Sequence, residues 1–186
     1  MGILDKIFGR RPDRSQWPRI VNDITVGFEQ IRQKWFETCI DGLEGVASED
    51  AQVRIQRRTL DGNGLRAAKA YQLFLTLSYL AKHRYIPPSE GHDFADLLFA
   101  QVCGSDLEQC LHCFARYEKA DRGSGLFRFT SDVAEHITGN EAPLMEAMTL
   151  SATTPMFAHL SHMVLAASFN DQRTVQSLQR KIEQGG

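Results

Sequence analysis

The stretch 65–84, LRAAKAYQLFLTLSYLAKHR, decides the fold. Its polar residues fall along a narrow stripe made by Arg66, Lys69, Gln72, Thr76, Lys82 and His83, and the rest of its circumference is apolar. A helix that presents apolar side chains in most directions needs neighbours in most directions. The spacing therefore predicts a central helix surrounded by others, with Leu73, Phe74, Leu77 and Leu80 buried. Turn-forming residues bracket it, Asp61-Gly62-Asn63-Gly64 before and Pro87-Pro88 after. Its most apolar part, 70–81, is too short to cross a membrane, and widening it takes in Arg66, Lys69 and Lys82.

Upstream, Ile20, Ile24, Phe28, Ile31 and Trp35 step by three and four, which predicts a helix over 19–40 that ends at Asp41, Gly42 and Gly45. The segment 49–60 admits two readings. Ser48 as a cap, Glu49 and Asp50 in the first turn and Arg57 and Arg58 in the last suit a helix, whereas Ala51, Val53 and Ile55 alternate as in a strand. We favour helix, since the chain offers few strands for it to pair with.

Downstream, a helix starts at Ser89 with Phe94, Leu97, Leu98 and Val102 inward, and Gly104 breaks it. Ser105 and Glu108 read as a capping box for the next, whose inward residues are Leu107, Cys110, Leu111 and Phe114. After Gly123-Ser124-Gly125, residues 126–129 read as a short extended stretch, followed by helices over 131–138 and 141–152, the latter capped by Asn140. Thr154-Pro155 opens another helix, and Asn170 caps the last. The chain is thus expected to be all-α, an irregular or orthogonal bundle of eight or nine helices around a buried central helix, with one short extended stretch near 126–130. Residues 1–16 divide off as an amphipathic segment and basic linker, leaving 17–186 as one helical domain.

Composition narrows the function classes. With 186 residues, 42% of them hydrophobic and 24% charged, the chain buries a core without disulfides or a structural metal. A net charge of −2 creates no field drawing it to nucleic acid. Arg54, Arg57, Arg58, Arg66 and Lys69 make the densest basic patch, but no aromatics are interleaved with it. No nucleic-acid partner is expected. No secretory signal is present, and Lys6 stands where a myristoylation motif needs Ser or Thr. Cys39, Cys103, Cys110 and Cys113 then read as reduced thiols. The expected location is cytoplasmic, with a peripheral place at the inner face of the membrane as its variant.

Candidate chemistry is thin. Cys103, Cys110, His112 and Cys113 have the residue types for zinc, yet at about 100° per residue His112 lies roughly 160° round the helix from Cys110. No second C-x-x-C completes a set, so these cysteines read as core. His92-Asp93 lacks an earlier histidine on a separate helix, for His83 is too close. His159 and His162, with Met145, Met148, Met156 and Met163, have donors that suit copper(I). Met156, Leu160, Met163 and Ala167, however, form one apolar face, as core methionines do. The turn before the central helix, with Arg66 and Lys69 near it, allows weak anion binding. No catalytic residue, metal or cofactor is expected; a metal-dependent enzyme using some of His83, His92, Asp93, His159 and His162 is the reading of last resort.

The N-terminus comes nearest to function. Ile3, Leu4, Ile7 and Phe8 fall on one side of a short helix, Asp5 and Lys6 on the other, and Arg10, Arg11, Arg14 and Arg19 follow. That is the pattern of an interfacial helix. Burying four such side chains at ~1.5 to 3 kcal/mol each, against ordering about eight residues at ~1 kcal/mol or more each, leaves weak, reversible binding. Ile3, Leu4, Ile7, Phe8, Arg10 and Arg11 are the candidate interaction residues. The leading expectation is a non-enzymatic helical interaction module, an adaptor or regulatory subunit with an unknown protein partner and a tendency to homo-oligomerise. The alternative is a peripheral membrane protein held by this segment.

Overall fold

The computed structural model describes residues 12–44, 46, 55, 58–119, 124–139 and 144–183. The chain enters through a 3-10 turn, Arg14–Gln16, closed by a capping box on Asp13. Helix α1 follows over Trp17–Glu44, two residues longer in front and four behind than its apolar spacing suggested. Pro18 lies in its first turn, where a missing N–H costs nothing. Gly42 does not end it, because Leu43 beyond it is fully buried. Burial of that side chain is worth ~1.5 to 3 kcal/mol, against about 1 kcal/mol for a glycine in a helix.

Helix α2 is Gly62–His83 and ends on Arg84 in the left-handed region, φ 52°. It packs against α1 and against four later helices: α3, Gly91–Cys103; α4, Leu107–Glu118; α5, Ser124–Thr138; and α7, Thr154–Ser168. It is the buried central helix that the sequence predicts, although α1 packs chiefly on α7 and touches α2 only lightly. The stripe of polar residues on α2 is not all solvent-facing. Gln72 and Thr76 are fully buried, while Phe74, Leu77 and Leu80 are only half-buried; of the four named apolar residues only Leu73 is completely enclosed.

The extended stretch expected near 126–130 is a correction. Those residues lie in the first two turns of α5, which runs unbroken to Thr138. Phe129, Val133, Ala134 and Ile137 are all fully buried, and their spacing of four, five and eight is one helical face. Short helix α6, Leu144–Ser151, packs on α5 and α1, and α8, Gln172–Glu183, closes against α7. Three caps also move. Asp106 precedes α4 with no side-chain cap, Thr153 precedes α7, and Asp171, not Asn170, accepts from the Thr174 N–H at the start of α8.

No strand occurs among the described residues, and the packing is compact and all-helical. Helices at 3–8 and through 49–60 entered the expected count of eight or nine; the first lies outside the described residues and the second almost wholly so, and the count is not confirmed. Ile55, one of the few described positions there, is buried.

Two apolar clusters make the core. One gathers Trp35, Tyr71, Tyr117, Phe129, Val133 and Phe157; the other gathers Trp17, Phe28, Leu73, Tyr79, Phe94, Leu98, Cys103, Cys110 and Leu165. Between them, on α1, α2 and α7, sit three buried polar residues, Arg32, Gln72 and Ser161. Arg32 Nη1 donates to Gln72 Oε1 at 2.7 Å, and the Gln72 amide donates to Phe28 O at 3.2 Å and Ser161 Oγ at 3.4 Å.

Candidate functional site

An open cavity of about 980 Å³ lies where the start of α2 meets α4 and α5. That volume is at the upper end of what small-ligand sites occupy. From α2 come Asn63, Arg66 and Ala67, from α4 Glu108, Leu111, His112, Cys113 and Arg116, and from α5 Asp132, Glu135 and His136; Arg58 and Gly139 complete the rim.

Ion pairs fix several of these groups. Arg116 Nη2 donates to Asp132 Oδ1 at 2.7 Å, and the buried Tyr117 hydroxyl donates to Asp132 Oδ2 at 2.7 Å, so both carboxylate oxygens are held. Burial works against the Arg116 charge, but Asp132 beside it outweighs that and holds the guanidinium above its ordinary pKa. Burial pushes the Tyr117 phenol up, and Asp132 adds to it, so the hydroxyl stays a donor. Arg66 reaches Asp106 Oδ1 through Nε and Nη2, each at 3.3 Å, and Lys69 Nζ lies 3.5 Å from the other oxygen.

His136 Nε2 lies 3.0 Å from Thr59 O and 3.3 Å from Asp61 Oδ1, two acceptors that place its proton on Nε2. Its ring presses on the first turn of α2. A Cβ at Gly64 would run into the imidazole Cδ2 and Cγ, so any side chain there has to displace the ring.

A second, smaller concavity shares Arg116 and Asp132 with the first and adds Phe127, Arg128 and Ser131. The two adjoin as a groove along α4 and α5; Leu111 lines the first and Phe127 the second, 40% and 39% exposed. Sequence spacing had placed Leu111 inward; α4 turns it out, and Cys110 and Tyr117 are the residues of that helix that are fully covered.

The residues expected to serve a metal do not converge. His92 and Asp93 are exposed, and Asp93 accepts from Arg14 at 2.8 Å. His159 Nδ1 donates within its own helix to Pro155 O at 2.9 Å. His83 and His162 stack near Tyr79, with ring centroids 4.3 and 6.0 Å away, and His83 Nδ1 is 3.9 Å from Asp171. Among the described residues no three His, Cys, Asp or Glu side chains are placed to hold a metal ion, and no helix is long and apolar enough to cross a membrane. The interaction residues Ile3, Leu4, Ile7, Phe8, Arg10 and Arg11 lie outside the described residues. Arg14, the first arginine of that basic run to be described, pairs with both Glu90 and Asp93 at the start of α3.

Compared with family models, curated proteins and solved structures, the chain shows no match.

Proposed function

We propose that this chain is a non-enzymatic helical interaction module, of the adaptor or regulatory-subunit kind, that pairs with a second copy of itself through the α4/α5 groove. The observation that carries the reading is the make-up of that groove. Exposed Leu111 and Phe127 flank a paired Arg116 and Asp132, the mix of apolar anchor and arginine that protein interfaces favour.

Charge balance argues for self-pairing. The larger cavity is lined by three arginines, Arg58, Arg66 and Arg116, and three carboxylates, Glu108, Asp132 and Glu135. Arg58 has no ion pair among the described residues, and neither do Glu108 and Glu135. A two-fold contact sets one patch against itself, so the unpaired arginine of each copy faces the unpaired carboxylates of the other. Sedimentation equilibrium tests this. Wild type should self-associate, more weakly at high salt, and Leu111→Glu should sediment as a monomer with an unchanged melting temperature. A wild type that stays monomeric at its highest soluble concentration overturns the reading.

A second reading, peripheral membrane contact through residues 3–8, is favoured by the sequence, where Ile3, Leu4, Ile7 and Phe8 separate from Asp5 and Lys6 and Arg10, Arg11 and Arg14 follow. Flotation with anionic vesicles then distinguishes Ile7→Glu from wild type. Equal flotation of the two removes this reading and leaves the groove untouched.

A further inference from the structure

The cavity between α2, α4 and α5 carries more charge than its ion pairs engage. Arg116 is engaged by Asp132, and Arg66 by Asp106 and by the Asn63 side chain, whose Oδ1 accepts from Nη1 at 3.3 Å. His136 Nε2 is taken up by Thr59 O and Asp61. Three charged groups of the lining, Arg58, Glu108 and Glu135, have no ion pair among the described residues. All three are exposed and the cavity is open, so a ligand reaches them without any helix moving.

Each of the three comes from a different part of the fold. Glu108 stands in the first turn of α4 and Glu135 in the last turn of α5. Arg58 precedes α2, and its guanidinium lies against the end of α5, where a Cβ at Gly139 would meet Nη2 at 3.0 Å. Gly139 N–H donates to Glu135 O at 2.8 Å, which puts Glu135 one helical turn from that point. Arg58 and Glu135 are therefore neighbours, and Glu108 answers them from the wall that α4 forms.

Charge decides what fits. One free cation and two free carboxylates call for a ligand with one anionic and two cationic groups. A neutral zwitterion leaves a carboxylate unanswered, and a diamine sets a like charge beside Arg58. A free basic amino acid such as arginine or lysine carries one carboxylate, one α-ammonium and one side-chain cation. We propose that this cavity binds a free basic amino acid. Its carboxylate and ammonium, which share one carbon, go to the neighbouring Arg58 and Glu135, the guanidinium fork taking the carboxylate through two parallel bonds. Its side-chain cation, several bonds away, goes to Glu108. Leu111 and Ala67 supply apolar surface for the methylenes between. The ligand takes the charges that a second copy would use, so it should also release self-pairing; that consequence rests on the self-pairing reading, and the binding does not.

Equilibrium dialysis of the intact chain against labelled L-arginine tests this, with unlabelled competitors. Saturable binding at one site per chain is expected. Agmatine, which lacks the carboxylate, Nα-acetylarginine, which lacks the ammonium, and citrulline, whose side chain is neutral, should each compete about tenfold more weakly, one charged contact being lost in each. No saturable binding, or competition by all three as strong as by arginine itself, overturns the proposal. Arg58→Gln should erase the preference for arginine over agmatine, and Glu108→Gln the preference over citrulline. Both positions are exposed, so the melting temperature should not move. A folded variant that keeps its preference overturns the role of that residue. Sedimentation equilibrium separates this proposal from self-pairing. A chain that self-associates without binding arginine removes the ligand alone, and one that binds arginine while staying monomeric removes the pairing alone.

Discussion

Replacing Phe129 with alanine is the sharpest test of the α5 assignment, because Phe127 two residues earlier supplies the control. Phe129 is fully buried. Its ring stacks on Tyr71 with centroids 4.3 Å apart, on Trp35 at 5.2 Å and on Phe157 at 5.6 Å, and it meets Tyr117 edge-on at 6.1 Å. Removing a buried phenylalanine costs ~3 to 5 kcal/mol. Aromatic pairs add ~0.5 to 1.5 kcal/mol beyond area, so four of them put Phe129→Ala at the upper end of that range. In a chain of this size each kcal/mol lowers the melting temperature by ~2 to 4 °C, and the expected drop is about 10 to 20 °C. Phe127, 39% exposed, should cost about 1 kcal/mol or less. Urea titration and calorimetry measure both. Residues two apart share a face in a strand and oppose each other in a helix. Comparable losses from the two variants would therefore refute the helix here, and with it the aromatic stack as the heart of the first cluster.

Two further predictions rest on named contacts. Gly64→Ala should destabilise the fold by ~1 to 3 kcal/mol in denaturant titration, because the added methyl runs into the His136 ring, although alanine is the better helix former by about 1 kcal/mol; a stabilised variant would show that the ring is free to move. Burial lowers the pKa of both His83 and His162. The unfolded chain therefore binds more protons than the folded one as pH drops below about 6.5, and the melting temperature should fall between about pH 7 and pH 5. His162→Phe should flatten that slope, and an unchanged slope would remove His162 from the account.

Much of the architecture was legible because it depends on apolar periodicity along single helices. All five residues that marked α1 are buried, and the near-uniform circumference of 65–84 marked the central helix. The helix through 126–130 was legible too: Leu126, Phe129, Val133 and Ile137 step by three and four, but the neighbouring Phe127 and glycine-rich loop masked the pattern. Leu111 shows the opposite limit. Its spacing from Leu107 fits an inward face, and whether that edge of α4 is covered depends on how close α5 comes, which no local pattern carries.

The polar seam shows why the rest stayed hidden. Gln72 and Thr76 share their stripe with Arg66, Lys69, Lys82 and His83, and a polar stripe can be buried wherever a second polar residue waits across the packing. Here Arg32 arrives from α1 and Ser161 from α7, and Gln72 satisfies donor and acceptor at once. No window of sequence contains 32, 72 and 161 together. Removing the glutamine leaves the other two short of partners, at ~1 to 3 kcal/mol per orphaned group and more for the charged one, which makes the trio conditional on the complete fold.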